Sequence, residues 1–92
     1  MTILANQKLL RQENIETAEL DGEWLLLNID THGITKVNEL GGYIWSILPE
    51  YPTVAELAGK IHSEYGVELE TVKADVQAFV KMLLEAGLLR NE

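Results

Sequence analysis

Residues 15 to 48 read as strand, two-residue turn, strand, turn, strand and helix, an order that constrains the fold more than any other feature of the chain. Ile15–Leu20 and Glu23–Ile29 flank Asp21-Gly22. Such a pair between two strand-like runs signals a type I′ hairpin, a turn that requires positive φ at both central residues. Asp30-Thr31-His32-Gly33 then turns the chain into Ile34–Val37, and Asn38 opens a helix that holds Tyr43, Ile44, Trp45 and Leu48. Two more helices follow. The expected fold class is α+β, a three-stranded antiparallel sheet packed on three helices, with one edge of the sheet open.

Within the second strand, Leu25, Leu27 and Ile29 share one face and Trp24, Leu26 and Asn28 the other. Both faces are partly apolar, more than a sheet with one wet face requires, and Trp24 is read as a shield over the hairpin. Asn38 is a good N-cap, since its side-chain oxygen can accept from an unpaired N–H of the first helical turn. Leu40, Tyr43, Ile44, Ile47 and Leu48 recur at helical spacing. The Gly41-Gly42 pair costs roughly 1 kcal/mol per glycine against alanine, which suggests that another backbone packs closely there.

Pro49 and Pro52 end this helix, and Thr53 with Glu56 predicts a capping box for the next. Val54, Leu57, Ala58 and Ile61 form its apolar face, and Tyr65-Gly66 closes it. The last helix is expected over Glu70–Ala86, stopping at Gly87, with Val72, Val76, Phe79 and Leu83 as its core stripe. Val80 and Leu84 widen the apolar arc on one side to about 160°, and Lys73, Gln77 and Lys81 border that side. Periodicity leaves two readings of this flank open, a groove wall or packing under the sheet. Residues 1 to 8 are expected to be an adaptable arm, Lys8–Arg11 a short extended piece, and Leu88-Leu89 a tail tucked onto the body.

Composition narrows the function. Ninety-two residues with 47% apolar content suit a single domain. There is no cysteine, hence no disulfide framework and no thiolate zinc site, which fits a reducing cytoplasm. The first residues lack a signal-peptide pattern, and no apolar run is long enough to span a membrane. Fifteen acids against seven bases give a formal charge of −8, which argues against nucleic acid and against an anionic membrane as partners. Lys36, Lys73 and Lys81, taken singly, read as solvated surface.

No catalytic constellation emerges. His32 and His62 are the only histidines, and neither has a carboxylate or second histidine at ligand spacing, so no metal and no cofactor are expected. Ser46 and Ser63 lack the glycines that would present a nucleophile. Acid pairs such as Glu68/Glu70 and Glu16/Glu19 read as solvated surface. The chain is not expected to be an enzyme.

A set of short motifs in fixed order completes the reading. Val37-Asn38-Glu39, Gly41-Gly42, Ile44-Trp45-x-x-Leu48, Thr53-x-x-Glu56-Leu57, Tyr65, Asp75-Val76-x-x-Phe79 and Leu83-x-x-x-Gly87-Leu88-Leu89 run through the chain. Together, over residues 15 to 90, they resemble the PqqD-like family, the leader-peptide recognition elements of ribosomally made, modified peptides. The resemblance implies a winged-helix-like fold and a role in binding a precursor's leader and presenting it to a modifying enzyme or leader peptidase. It also implies a groove between the third strand and the third helix in which the leader adds a strand. Ile34, Thr35, Lys36 and Val37 would then offer backbone pairing. Val76, Val80 and Leu84 would line an apolar trough, and Lys73 and Gln77 would meet polar or acidic leader side chains. On this basis the flank of the last helix is preferred as a groove wall.

Two features depart from family subtypes. Leu48-Pro49-Glu50-Tyr51 stands where quinone-cofactor members carry a Leu-Cys-Asp-Gly-like turn. Ile34-Thr35-Lys36-Val37 replaces the aromatic-rich approach of many lasso-peptide members. A stand-alone lasso-type or other peptide-maturation chaperone is favoured over quinone-cofactor biosynthesis. The alternatives are a homodimerising adaptor that pairs through the same edge and, less favoured, a winged-helix DNA binder. The second would want a basic recognition helix, yet Thr53–Glu64 carries Lys60 against Glu56 and Glu64. If the trough reading holds, Val80→Asp should weaken leader binding.

Overall fold

The computed structural model describes residues 6–91, so most of the expected N-terminal arm lies outside the described residues. Five strands and three helices follow in the order β1 (Leu9–Arg11), β2 (Ile15–Leu20), β3 (Glu23–Asn28), β4 (Gly33–Val37), α1 (Glu39–Ile47), α2 (Val54–Tyr65), α3 (Leu69–Glu85) and β5 (Leu89–Asn91). The expected α+β class stands: β2, β3 and β4 form a three-stranded antiparallel sheet, and three helices accompany it. The extended piece near Lys8 and the tail after Gly87 do more than was foreseen, because β1 and β5 pair into a second, two-stranded antiparallel sheet.

The hairpin follows from its turn. Asp21 and Gly22 take φ of 52° and 82°, and pairing runs without a break from Leu20↔Glu23 to Ile15↔Asn28. The second turn is built by side chains. Asn28 Oδ1 accepts from the backbone N–H groups of Asp30 (3.0 Å) and Thr31 (3.2 Å), and Thr31 Oγ1 accepts from Gly33 N–H (3.2 Å). Because Asn28 is drawn into this turn, β3 ends there, and Ile29, which the expected strand included, falls outside it.

Which sheet face is the core face is settled by Leu26, which is fully buried. Trp24 and Leu26 point inward opposite Val37 and Thr35 of β4. Leu25, Leu27 and the exposed Ile34 therefore lie on the outer face. Trp24 is not simply a shield over the hairpin. Its indole occupies the space that a Cβ on Gly42 would need, so the close approach suggested by the glycine pair is made by β3 against α1.

Asn38 caps α1 as expected, its Oδ1 accepting from Gly41 N–H at 2.8 Å. Thr53 caps α2 by accepting from Glu56 N–H at 3.1 Å. The reciprocal half of the expected capping box takes a different form: the Thr53 hydroxyl donates to the Glu56 carboxylate at 3.3 Å. α3 ends in a Schellman arrangement. Gly87 adopts φ of 77°, its N–H donates to the Leu84 carbonyl (3.1 Å), and Leu88 N–H donates to that of Leu83 (2.9 Å).

The core gathers Leu26 and Val37 from the sheet, Ile44, Trp45 and Leu48 from the first helical segment, and Val54, Leu57, Ala58 and Ile61 from α2. From α3 come Val72, Val76, Val80 and Leu83. Val80 takes the fully buried place that the sequence assigned to Phe79, which is half-buried at the margin of the core. Leu9, Leu88 and Leu89 seal the far end, where Leu9 N–H donates to the Pro52 carbonyl at 2.7 Å.

Candidate functional site

β4 is an edge strand: β3 pairs with one of its sides, and no described strand covers the other. Its backbone N–H and C=O groups on that side are available to an incoming strand. The edge leads directly, through Val37 and Asn38, into the start of α1. There the surface opens into a cavity of about 650 Å³, within the usual size of a binding pocket.

Three elements wall the cavity. Asn38, Glu39, Leu40 and Gly41 contribute from the N-terminal turn of α1, with Ile44 one turn further on. Val72, Asp75, Val76 and Phe79 contribute from α3, and Ile61, Tyr65 and Val67 from the end of α2 and the loop after it. The lining is mostly apolar, and Leu40, Tyr65 and Val67 remain exposed although large and hydrophobic. Tyr65 is held edge-on against Tyr43, with ring centroids 5.9 Å apart. Burial, with the nearby Glu64 carboxylate adding to it, pushes the Tyr43 phenol above its ordinary value, so it is neutral at physiological pH.

Gly41 explains how α3 is oriented against this region. A Cβ there would lie 2.9 Å from both Phe79 Cε1 and Val37 Cβ. The missing side chain lets α1 sit against Phe79, which brings the Asp75–Phe79 side of α3 toward β4 and α1. Lys73, Gln77 and Leu84 lie about 160° around the helix from that side.

Of the nine residues singled out from the sequence, Val76 alone lines the cavity. Ile34, Thr35, Lys36 and Val37 form the β4 edge that runs up to it, with Val37 buried and Lys36 paired to Glu23 at 2.9 Å. Val80 has no exposed surface and belongs to the core, so it presents nothing to a ligand in this conformation. Lys73, Gln77 and Leu84 are not in the cavity wall. Leu40, Tyr65, Val67, Asp75 and Phe79 are cavity residues that sequence reasoning did not assign. Asp75 and Phe79 stood in a quoted motif, and the adjacent glycines marked the place they face, but no local signal connected the two.

A smaller concavity of about 500 Å³ lies on the other side of α1, where Arg11, Trp24 and Trp45 meet. Arg11 stacks 5.3 Å from the Trp45 ring and donates to its carbonyl at 3.4 Å, an arrangement that ties β1 to α1. Among the described residues no group of histidine and acidic side chains could hold a metal ion, and no helix is long and apolar enough to cross a membrane.

Residues 23–89 match the family model for coenzyme PQQ synthesis protein D (PqqD). Two solved structures share the architecture along most of their length. TbiB1 in complex with the TbiA(beta) leader peptide is 30% identical, with 87% of this chain and 93% of that chain covered at a TM-score of 0.75. A lasso peptide synthetase B1 complexed with the leader peptide is 25% identical, with 90% of this chain and 98% of that chain covered at a TM-score of 0.77. No curated protein matches the chain.

Proposed function

The chain belongs to the PqqD family, and from that premise we propose that it binds the leader region of a ribosomally synthesised precursor peptide and presents it to a modifying enzyme or leader peptidase. The observation that carries this reading is the open β4 edge leading straight into an apolar cavity. Both similar structures were solved with a leader peptide bound, which supports it further. In this mechanism a leader segment adds to the sheet along Ile34–Val37, and main-chain hydrogen bonds supply affinity that tolerates many sequences. An apolar leader side chain then enters the cavity beside Phe79 and Leu40, which supplies specificity. The chain itself makes and breaks no bond. It acts as one domain, in the cytoplasm, by raising the local concentration of the precursor at its partner.

In this proposal the side-chain contacts fall on the Asp75–Phe79 flank of α3, beside the cavity, rather than on Lys73, Gln77 and Leu84. The proposed backbone contacts remain those of Ile34, Thr35, Lys36 and Val37. Titration of the purified chain with fluorescent leader peptides of candidate precursors, at low and raised salt, tests the proposal. Saturable binding that largely survives salt is expected. A stable dimer that ignores every leader would instead favour self-pairing through the same edge.

A further inference from the structure

We propose, resting on the leader-binding reading above, that the cavity selects a leader segment in which an apolar anchor is flanked by lysine or arginine, with Glu39 and Asp75 reading the cation. Among the described residues, the cavity wall has two charged groups, and both are carboxylates. Neither engages in an ion pair or a side-chain hydrogen bond among the described residues. Both are exposed, so they stand at the rim while Gly41, Val72, Val76 and Phe79 form the apolar wall.

Helix stability accounts for only one of these acids. Glu39 lies in the first turn of α1, where the helix dipole favours a negative charge. Asp75 lies well inside α3, beyond the reach of that effect. Its neighbours at helical spacing are Thr71, Val72, Ala78 and Phe79, none of them a cation. The lysines of α3, Lys73 and Lys81, fall on other sides of the helix, and Lys36 is taken by Glu23. The other acids of α3, Glu70 and Glu85, have Lys73 and Lys81 at helical spacing, so Asp75 is the one acid of this helix without a basic neighbour there, and it lines the cavity.

A leader carrying an apolar anchor and a neighbouring cation complements both parts of this wall. One with glutamate or aspartate at the same place would bring like charges together in a partly dehydrated mouth. The chain's net charge of −8 adds long-range attraction for a basic segment. This preference is opposite in sign to the acidic leader that Lys73 suggested from sequence.

The test uses the full chain and a library of labelled 12-residue peptides with a fixed central leucine. Lysine, alanine or glutamate is placed at each flanking position, and candidate whole leaders are titrated alongside. At low salt, lysine-flanked peptides should bind about tenfold tighter than glutamate-flanked ones, a difference of about 1.4 kcal/mol. That ratio should shrink toward one at high salt and in Glu39→Gln/Asp75→Asn. It should invert in Glu39→Lys/Asp75→Lys. Equal binding whatever the flanking charge overturns the inference and leaves the leader-binding reading intact, as does a preference that persists in the neutral variant. Whole leaders binding while no library member does also overturns it, because the anchor and cation would not suffice. If neither library nor leaders bind, both readings fall.

Discussion

The indole of Trp24 fills the space beside Gly42 that any larger residue would claim. A strand and a helix are thereby brought closer than side chains normally permit, and the β3–α1 contact depends on both residues. Gly42→Ala should gain up to about 1 kcal/mol in helix propensity and lose more through overpacking, about 1–3 kcal/mol. A net fall in the urea midpoint with an unchanged m-value is expected. In a Trp24→Val background, where the ring is gone, the same substitution should be neutral or stabilising.

Val80 and Leu40 separate folding from binding. Val80 is fully buried, so Val80→Asp would place an unpaired charge in the core and abolish the cooperative unfolding transition measured by circular dichroism. Leu40 is exposed at the cavity mouth. Leu40→Ala should leave stability within about 0.5 kcal/mol and weaken leader binding several-fold in a fluorescence titration. Unaltered affinity in this variant would remove the cavity from the binding site.

If the leader adds a strand to β4, its amides alternate between those that face β4 and those that face solvent. A scan of N-methylated leader peptides should therefore show losses at every second residue over a short stretch. Losses without that alternation would argue for recognition by side chains alone.

Asn38 both caps α1 and lines the cavity. Asn38→Ala should cost about 1 kcal/mol of stability and lower the melting temperature by several degrees, whereas Asn38→Asp, which can still accept from Gly41 N–H, should retain most of it. Differential scanning calorimetry distinguishes the two.

These expectations rest on features that were unevenly legible in the chain. The hairpin, the caps at Asn38 and Thr53 and the stop at Gly87 were all readable, because each depends on φ preferences or hydrogen bonds within a few residues. Helix phase is a different matter. The apolar arc of α3 has two borders, one carrying Lys73, Gln77 and Leu84 and the other Asp75 and Phe79. Nothing within the helix says which border turns toward β4. The contact of Phe79 with Gly41 decides it, and that contact joins two helices far apart in sequence. Trp24 was misjudged for the same reason, since its partner is a glycine in another element. The pairing of β1 with β5 joins segments even further apart in sequence, and runs of three residues carry no reliable period.

That pairing has a practical side. Leu9 stands opposite Asn91, so the strand that brings the chain into the fold and the strand that takes it out are hydrogen-bonded neighbours. Entry and exit at one spot are what a cassette needs. Spliced into a surface loop of a larger protein, residues 9–91 would hold the loop's two ends a few ångströms apart, as a tight turn does, and the host fold would need little adjustment. The β4 edge and its cavity would travel with it unchanged, making this a portable way to give an enzyme a grip on its substrate's tail.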